Sequence, residues 1–369
     1  MEQLKENEEG VRLIIAGGGT GGHLFPAVAI AEEFLKRDGR NRVLFIGTER
    51  GLEKRVLGDY GYPLRTIQVE GIKGKGIFRS IVGLSRIPRS MMQSWSIIRD
   101  FGPHVVLGVG GYASGPAVMT ASLMGIKTAI AEQNALPGFT NRILGRFVKK
   151  IFLTFPDRDK FFSEKKVVVT GNPVRAGICE DSEGIGEDEE MLTLLVFGGS
   201  QGASSINRAV TESLPYLGDV KDKLIFMHQT GEKDVDEVSK AYLDSGMDAA
   251  VSPFIRDMAS AYRSANLVIC RAGATSIAEI TAMGKASILI PYPYAIGNHQ
   301  VLNARVLHDA GAARIILEDD LTGESLADLV TSLHSNRKMI RKMARKSKKL
   351  GKKKAAADIV DRFLAWQRA

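Results

Sequence analysis

Short apolar runs alternate along this chain with longer segments whose apolar residues recur at helical spacing. The runs consist mostly of Val, Ile and Leu, which is typical of strands buried on both faces of a parallel sheet. Strands that alternate with helices predict doubly wound α/β units, and a length of 369 residues predicts two of them. The predicted strands are residues 11–16, 43–47, 105–109, 128–131, 151–154 and 167–170 in the first half, and 192–197, 224–227, 249–251, 267–270, 287–290 and 313–316 in the second.

One acidic segment interrupts this pattern. Residues 180–190 read EDSEGIGEDEE, which predicts an exposed connection between domains. We therefore predict an N-terminal domain at 10–177, an acidic linker at 178–190 and a C-terminal domain at 191–354. A last helix at about 355–369 is expected to pack back on the first domain. Two similar halves of this kind place a ligand in the cleft between them.

Composition narrows the class of protein. The two cysteines, Cys179 and Cys270, have no CxxC spacing, which excludes a disulfide scaffold and fits a reducing compartment. The first ten residues are acidic and polar, unlike a secretory signal. The uncharged stretch 105–126 contains several glycines, so we expect a strand, a glycine turn and a helix from about Pro116 rather than a membrane span. The sequence predicts a soluble protein.

The net charge of +8 is unevenly distributed. Residues 337–354 hold eleven Lys or Arg and no acid, so the rest of the chain is net negative. This distribution argues against a nucleic-acid partner. The basic run is either a solvated helix face or a surface attracted to anionic lipid, at about 1 kcal/mol for each basic residue near the membrane.

Three predicted strands are each followed by a glycine-rich turn and a helix start. The turns read GGGTGGH at 17–23, with a helix expected from about Pro26, GGYAS at 110–114 and GGSQGA at 198–203. Glycines let the backbone approach an anion closely, and a helix N-terminus adds unpaired N–H groups and partial positive charge. Three such turns predict a protein that handles more than one phosphorylated ligand.

Other kinds of site are open at this point. The first turn also satisfies G-x-G-x-x-G, with Glu49 after the second strand, so an NAD-dependent oxidoreductase is an alternative, although it needs only one such turn. Residues 157–159 spell the D-x-D of metal-dependent transferases. They follow a strand and Pro156, where Asp typically caps a helix or shapes a turn, so we predict no metal. Glu279, near a predicted helix start, either binds ribose hydroxyls or stabilises the helix dipole.

Together these motifs resemble the MurG family of glycosyltransferases, over roughly residues 11–315. The resemblance implies a GT-B fold, with two Rossmann-like doubly wound domains facing a cleft. It implies transfer of N-acetylglucosamine (GlcNAc) from UDP-GlcNAc, with inversion, to the 4-hydroxyl of N-acetylmuramic acid (MurNAc)-pentapeptide on undecaprenyl pyrophosphate. This step converts lipid I to lipid II in peptidoglycan synthesis at the cytoplasmic face of the plasma membrane, and it requires no cofactor. The matching blocks are GGGTGGH at 17–23, GGYAS at 110–114, EQN at 132–134, GNPVR at 171–175, GGSQGA at 198–203, PFI at 253–255, RAGA and Glu279 at 271–279, and HQ with NA at 299–304.

The resemblance also implies which residues contact each substrate. His23 is the general-base candidate, and the alternative is a ligand of the acceptor pyrophosphate or a helix cap. Gly297 and Asn298 stand where many members carry an acidic residue, which affects sugar recognition. The implied donor contacts are Thr20, Gly21, Gly22, Asn134, Arg175, Ser200, Ile255, Ala274, Thr275, Ser276, Ile277, Ala278, Glu279 and Gln300. The implied acceptor-pyrophosphate contacts are Gly18, Gly19, Gly110, Gly111, Tyr112 and Ser114.

A basic and apolar segment at 72–98 predicts contact with an anionic membrane. The alternative is an amphipathic helix packed on its own domain. The residues assigned to this patch are Lys73, Ile77, Phe78, Arg79, Ile81 and Trp95.

Two further functions compete with the transferase. A UDP-GlcNAc 2-epimerase shares the fold and the donor, but it has no use for the basic and apolar segment. A non-enzymatic lipid-binding protein leaves Glu279, Gln300 and the three glycine turns without a purpose.

Overall fold

A computed structural model describes residues 10–49, 53–69, 87–179, 190–199 and 202–368 of the chain. Contacts between Cα atoms divide the chain into two units. The first unit comprises Met1–Arg175 and Lys354–Ala369, and the second comprises Ala176–Lys353. Each is an α/β unit built on its own parallel sheet.

The first unit contains a seven-stranded parallel sheet in the order β3-β2-β1-β4-β5-β6-β7. Its strands are β1 Arg12–Ala16, β2 Arg42–Gly47, β3 Leu64–Thr66, β4 Val105–Gly108, β5 Lys127–Glu132, β6 Lys150–Leu153 and β7 Val167–Val169. Its described helices are α1 Gly21–Arg37, α2 Glu53–Asp59, α3 Ile87–Phe101, α4 Ser114–Leu123 and α5 Phe139–Leu144.

The second unit contains a six-stranded parallel sheet in the order β10-β9-β8-β11-β12-β13. Its strands are β8 Leu192–Phe197, β9 Leu224–Gln229, β10 Asp248–Ser252, β11 Leu267–Cys270, β12 Ala286–Leu289 and β13 Ala313–Ile315. Its described α-helices are α6 Ala176–Cys179, α7 Ser204–Ser213, α8 Val235–Ser245, α9 Met258–Ser264, α10 Ala274–Met283, α11 His299–Asp309, α12 Gly323–Ser335 and α13 Arg337–Leu350. Short 3-10 helices cover Leu214–Lys223, Ile296–Asn298 and Glu318–Asp320.

Alternation along the strands builds the core of the first unit on both faces of its sheet. Leu13 and Ile15 of β1 pack with α1 on one face, whereas Ile14 and Ala16 pack with α4 on the other. A last helix, α14 (Ala355–Arg368), returns from the end of the chain and contributes Phe363 to the α1 face. Because both faces are covered, the strands are continuous apolar runs.

Each sheet has a point where the strand order reverses, and this point positions the glycine turns. In the first sheet β1 pairs with both β2 and β4, and in the second β8 pairs with both β9 and β11. Ligands of open α/β sheets bind outside the carboxyl ends of the strands at such points. The turns after β1 and β4 lie there in the first unit, and the segments after β8 and β11 lie there in the second.

All twelve predicted strands are present, whereas one strand was missed and the start of one helix was misplaced. The edge strand β3 was missed because it has only three residues, two of them exposed. Helix α1 begins at Gly21 and not near Pro26, which lies inside it. Helix α4 begins at Ser114, close to the start expected near Pro116, and Pro116 lies in its first turn, where proline is well accommodated.

Candidate active site

The first turn, residues 17–20, connects β1 to α1. Its three glycines have φ angles of 138°, 130° and 88°, a region that L side chains rarely adopt. Thr20 is extended and precedes the 17-residue helix α1. The amide groups and partial positive charge of the helix N-terminus therefore face this turn, as in an anion site.

The second turn, residues 109–113, connects β4 to α4 and is pressed against the first turn. The Gly18 N–H donates to the Gly110 carbonyl at 3.2 Å. A Cβ added at Gly111 would lie 2.4 Å from the Gly18 carbonyl oxygen, and one at Gly17 would lie 2.1 Å from that of Gly110. The two turns therefore form one backbone surface. It brings together four of the implied acceptor-pyrophosphate contacts: Gly18, Gly19, Gly110 and Gly111.

The other two residues assigned to the acceptor pyrophosphate differ in exposure. The Tyr112 side chain is 55% exposed, whereas Ser114 is completely buried. A Cβ added at Gly108 would lie 2.4 Å from the Ser114 hydroxyl, so this hydroxyl points toward β4. Ser114 can reach a ligand only through its backbone.

His23 lies in the first turn of α1, with its ring beside the second turn. A Cβ added at Gly110 would lie 2.8 Å from its Cε1 atom. Nδ1 of His23 lies 3.0 Å from Oε1 of Gln133, a buried residue that directly follows β5. In this orientation of the Gln133 carboxamide, its oxygen accepts a hydrogen bond from Nδ1–H, which leaves Nε2 as the acceptor of the ring.

Glu132 orders the loop that carries Gln133 and Asn134. Its carboxylate accepts hydrogen bonds from the backbone N–H groups of Asn134 at 3.0 Å and Gly138 at 2.9 Å, and from the Asn141 side chain at 2.8 Å. A buried carboxylate that accepts three hydrogen bonds from its own loop is a structural group. The sequence analysis included Glu132 and Gln133 in a matching motif but assigned a role to neither residue. Their position at the carboxyl end of a predicted strand could have indicated that they lie near the site.

Arg175, which ends the N-terminal segment of the first unit, lies against the helix that carries His23. Its guanidinium carbon lies 5.3 Å from the centroid of the Phe25 ring, a cation–π distance. Burial raises the pKa of Glu32 on the same helix, and the charge of Arg175 offsets this in part. Five of the implied donor contacts belong to the first unit: Thr20, Gly21, Gly22, Asn134 and Arg175.

The third turn, residues 198–203, connects β8 to α7 in the second unit. Ser200 lies outside the described residues. Gly202 has a φ of 77°, and a Cβ there would lie 1.8 Å from the carbonyl oxygen of Thr230, so this position requires glycine. The Gln229 side chain donates to the Gly199 carbonyl and accepts from the Ile255 N–H, each at 2.8 Å. The N–H of Ile255, a residue among the implied donor contacts, is thus engaged within the protein.

The helix α10 supplies the other donor residues of the second unit. Glu279 is almost fully buried, and one of its carboxylate oxygens accepts a hydrogen bond from the Tyr262 hydroxyl at 3.2 Å. Ala274, Ile277 and Ala278 are buried, so their backbone groups are what they can offer to a ligand. Thr275 and Ser276 are partly exposed in the first turn of this helix.

Arg271, directly after β11, is the centre of a polar cluster that sequence reasoning did not assign. Its guanidinium donates to Glu318, to the Ser205 hydroxyl at 2.7 Å and to the Ile290 carbonyl at 3.2 Å. Burial acts to raise the pKa of Glu318, but the hydrogen bonds from Arg271 and Ser205 outweigh it and lower that pKa. This cluster ties the segment after β11 to the N-terminus of α7.

Gln300 is the second residue of α11, and Gly297 and Asn298, which depart from the family pattern, directly precede this helix. The Gln300 carboxamide oxygen accepts a hydrogen bond from the Tyr292 N–H at 2.9 Å. Gly297 and Asn298 have φ angles of 65° and 53°, which glycine and asparagine tolerate better than other residues. Tight backbone geometry therefore accounts for these residue types.

The D-x-D sequence shapes a turn. The Asp157 carboxylate accepts hydrogen bonds from the backbone N–H groups of Phe161 at 3.1 Å and Phe162 at 2.9 Å. Among the residues that the structure describes, no three His, Cys, Asp or Glu side chains are grouped in a way that would hold a metal ion.

The predicted membrane patch is described only in part. Lys73, Ile77, Phe78, Arg79 and Ile81 lie outside the described residues. Trp95 lies on α3 and is 45% exposed, with the guanidinium carbon of Arg99 5.2 Å from its ring centroid. In the described part of the chain, no helix has the length and apolar character needed to cross a bilayer.

Comparison with known proteins identifies the family. The glycosyltransferase family 28 N-terminal domain matches residues 13–153, and its C-terminal domain matches residues 193–362. A UDP-N-acetylglucosamine–N-acetylmuramyl-(pentapeptide) pyrophosphoryl-undecaprenol N-acetylglucosamine transferase of Syntrophus aciditrophicus is 59% identical over 96% of this chain and 98% of its own. The crystal structure of Acinetobacter baumannii MurG is 34% identical, with a TM-score of 0.81 over 96% of this chain and 99% of that one.

A more distant likeness bears on the 2-epimerase alternative. UDP-GlcNAc 2-epimerase from Neisseria meningitidis, solved with UDP-GlcNAc, matches with a TM-score of 0.62 over 96% of this chain and 99% of that one. At 13% identity this likeness shows a common fold alone. The full-length matches at 59% and 34% identity decide between the two, and the two parallel-sheet units are those of a GT-B glycosyltransferase. The chain belongs to the MurG family of UDP-N-acetylglucosamine–N-acetylmuramyl-(pentapeptide) pyrophosphoryl-undecaprenol N-acetylglucosamine transferases, within glycosyltransferase family 28.

Proposed function

We propose that this chain transfers GlcNAc from UDP-GlcNAc to the 4-hydroxyl of MurNAc-pentapeptide on undecaprenyl pyrophosphate, with inversion at the anomeric carbon. The observation that carries this proposal is the pair of facing glycine turns in the first unit, with the His23 ring beside them. Family membership supplies the substrates, and this surface supplies a place for the acceptor.

The acceptor pyrophosphate binds the first and second turns. Their glycines remove every side chain that would keep phosphate oxygens away, and the N-termini of α1 and α4 provide amide donors. Gly18 gives its N–H to Gly110, so its role is to shape the surface. The first unit is thus the acceptor unit.

His23 acts as the general base. With the proton held on Nδ1 by Gln133, Nε2 accepts the proton of the acceptor 4-hydroxyl while its oxygen attacks the anomeric carbon. The bond from that carbon to the diphosphate breaks, and UDP leaves with the electron pair. The amides of the third turn stabilise the charge that develops on the leaving group.

The second unit binds the donor. The third turn and the N-terminus of α7 bind the diphosphate, and the segment at Ile255 lies against uracil. Glu279, held by Tyr262, accepts the ribose hydroxyls. Gln300 binds a hydroxyl of the transferred sugar.

A transfer assay tests this function. Labelled UDP-GlcNAc is incubated with a short-chain lipid I analogue, and labelled lipid is expected only when the acceptor is present. Release of UDP without labelled lipid contradicts the proposal. Conversion of the sugar at C2 without an acceptor would identify a 2-epimerase.

We further propose that the first unit docks peripherally on an anionic membrane at the cytoplasmic face. Met92 and Trp95 lie one helical turn apart on α3, and they are 73% and 45% exposed. Helix α3 packs on α4, whose last residue, Leu123, is 72% exposed. Apolar side chains of this size beside Arg99 favour the interface of a bilayer.

Vesicle flotation tests the docking surface. A variant with Met92→Asp and Trp95→Asp is expected to lose most of its binding to vesicles that contain anionic lipid. Leu243→Asp is the matched control, because Leu243 is 80% exposed but lies on α8 of the second unit. Equal flotation of both variants would refute docking through α3.

A further inference from the structure

Gln229 joins two segments that bind different parts of the donor in the proposed function. It is the last residue of β9 and is 3% exposed. Its Nε2 donates to the carbonyl of Gly199, in the turn assigned to the diphosphate. Its Oε1 accepts from the N–H of Ile255, in the segment assigned to uracil.

The direction of this carboxamide is fixed by its partners. A flipped amide would set its oxygen against the Gly199 carbonyl oxygen and its NH2 group against the Ile255 N–H. Either contact would leave a buried polar group unsatisfied. The backbone after Gln229 is bonded to the same segment as Ile255. The Thr230 N–H donates to the Ser252 carbonyl and the Gly231 N–H donates to the Pro253 carbonyl, each at 3.1 Å.

The third turn also depends on this strand end for its shape. Gly202 packs so closely on Thr230 that a Cβ would lie 1.8 Å from the Thr230 carbonyl oxygen. The end of β9 therefore contacts the third turn on one side and residues 252–255 on the other. Gln229 is the side chain that bonds to both.

We propose that Gln229 is a positioning residue for the donor, which holds the diphosphate turn and the uracil segment at one separation. This inference rests on the proposed donor site. A single rigid spacer makes the two halves of UDP bind as one unit, since ordering one segment orders the other. Gln229 contacts neither half of the ligand itself, so it acts through Gly199 and Ile255.

Ligand titrations with Gln229→Met test this role. Methionine fills a similar volume but forms neither hydrogen bond, so UDP affinity is expected to fall roughly tenfold or more. Uridine alone is expected to lose much less, because one half can adjust without the other. In turnover, KM for UDP-GlcNAc rises while kcat changes little.

Gln229→Glu adds a second measurement, the pH dependence of UDP affinity, which a purely structural role of Gln229 would not change. A protonated carboxyl group can donate to Gly199 and accept from Ile255 as the amide does, whereas the ionised group cannot donate. UDP affinity relative to the wild type is therefore expected to rise as the pH falls from about 8 to about 6, since burial favours the neutral form. Absence of this recovery would count against the bridge.

Asn266→Ala is the control, because the Asn266 side chain accepts from the Thr193 N–H at the amino ends of β8 and β11, whereas Gln229 lies at the carboxyl end of β9. It is expected to leave UDP affinity unchanged. Wild-type-like UDP binding by Gln229→Met, or equal losses for uridine and UDP, overturns the inference. A wild-type protein that does not bind UDP overturns the proposed donor site itself.

Discussion

The two units hold their glycine turns by different means. In the first unit, two turns press on each other through backbone atoms, and the Gly18 N–H bonds directly to the Gly110 carbonyl. In the second unit, the third turn is bonded to the Gln229 side chain and rests on Thr230. Both arrangements depend on glycines that lack a Cβ, but the third turn depends in addition on a hydrogen bond from a side chain distant in sequence.

His23 of the first unit and His228 of the second unit also differ in their surroundings. His23 is partly exposed and has one side-chain partner, Gln133. His228 is completely buried between the Tyr242 hydroxyl and the Asn207 side chain, each at 3.1 Å. Burial lowers the pKa of His228 to about 3, so it stays neutral and serves as a structural hydrogen-bonding group. The first unit therefore offers a histidine for chemistry, and the second uses one for architecture.

The largest effect is expected at His23. His23→Ala removes the proposed base and should lower kcat by about 10²–10⁴-fold, while UDP affinity stays within a few-fold of the wild type. Initial rates with a lipid I analogue and a UDP titration measure the two quantities. His308→Ala, an exposed histidine of α11, is the control and should change neither.

The same variants separate a base from a pyrophosphate ligand. If His23 only binds the acceptor, His23→Ala raises the acceptor KM and leaves kcat nearly unchanged, which would contradict the base. Gln133→Met sharpens the comparison because it removes the oxygen that holds the proton on Nδ1. Imidazole nitrogen chemical shifts should then report a larger share of the tautomer protonated on Nε2.

Alanine substitutions in the glycine turns of the two units should impair different measurements, UDP binding in one case and the acceptor KM in the other. In Gly202→Ala the new Cβ collides with the Thr230 carbonyl. In Gly111→Ala it collides with the Gly18 carbonyl, and both positions have a positive φ. Each change should cost about 3 kcal/mol, from strain and overpacking. Gly202→Ala should weaken UDP binding, whereas Gly111→Ala should raise the acceptor KM and spare UDP.

Controls for this pair lie in open positions of the same units. Gly39 and Gly218 have no neighbour within 4 Å of an added Cβ and no positive φ, so their alanine variants should behave as wild type. If Gly111→Ala and Gly202→Ala damaged both assays equally, the division of labour between the units would be wrong.

Sequence reasoning predicted the strands and turns because their signals are local. A continuous apolar run followed by glycines is visible within ten or so residues, and both sheets are built from such runs. Gln229 and Gln133 were missed because their partners are distant: Ile255 is 26 residues from Gln229, and His23 is 110 residues from Gln133. A glutamine at a strand end has no periodic pattern, so only the fold reveals what it contacts.

The start of α1 was misplaced for a related reason. Pro26 suits a first helical turn, and Gly21 and Gly22 have low helix propensity, so a start near Pro26 was the local preference. In the structure the helix extends back to Gly21. Packing of the first turn on the second overrides propensity here and sets His23 on the helix.

The smallest effect concerns His228 and acid stability. Between pH about 3 and the ordinary value near 6.5, the unfolded chain binds a proton at this histidine and the folded chain does not. The unfolding free energy therefore falls as the pH falls through this window, by about 2 kcal/mol from pH 7 to pH 5 for this group. In urea unfolding followed at both pH values, His228→Gln should be less stable than wild type at pH 7 but lose about 2 kcal/mol less on acidification. Equal losses of unfolding free energy by the wild type and His228→Gln on acidification would contradict this prediction, because the buried ring would then take up its proton without unfolding.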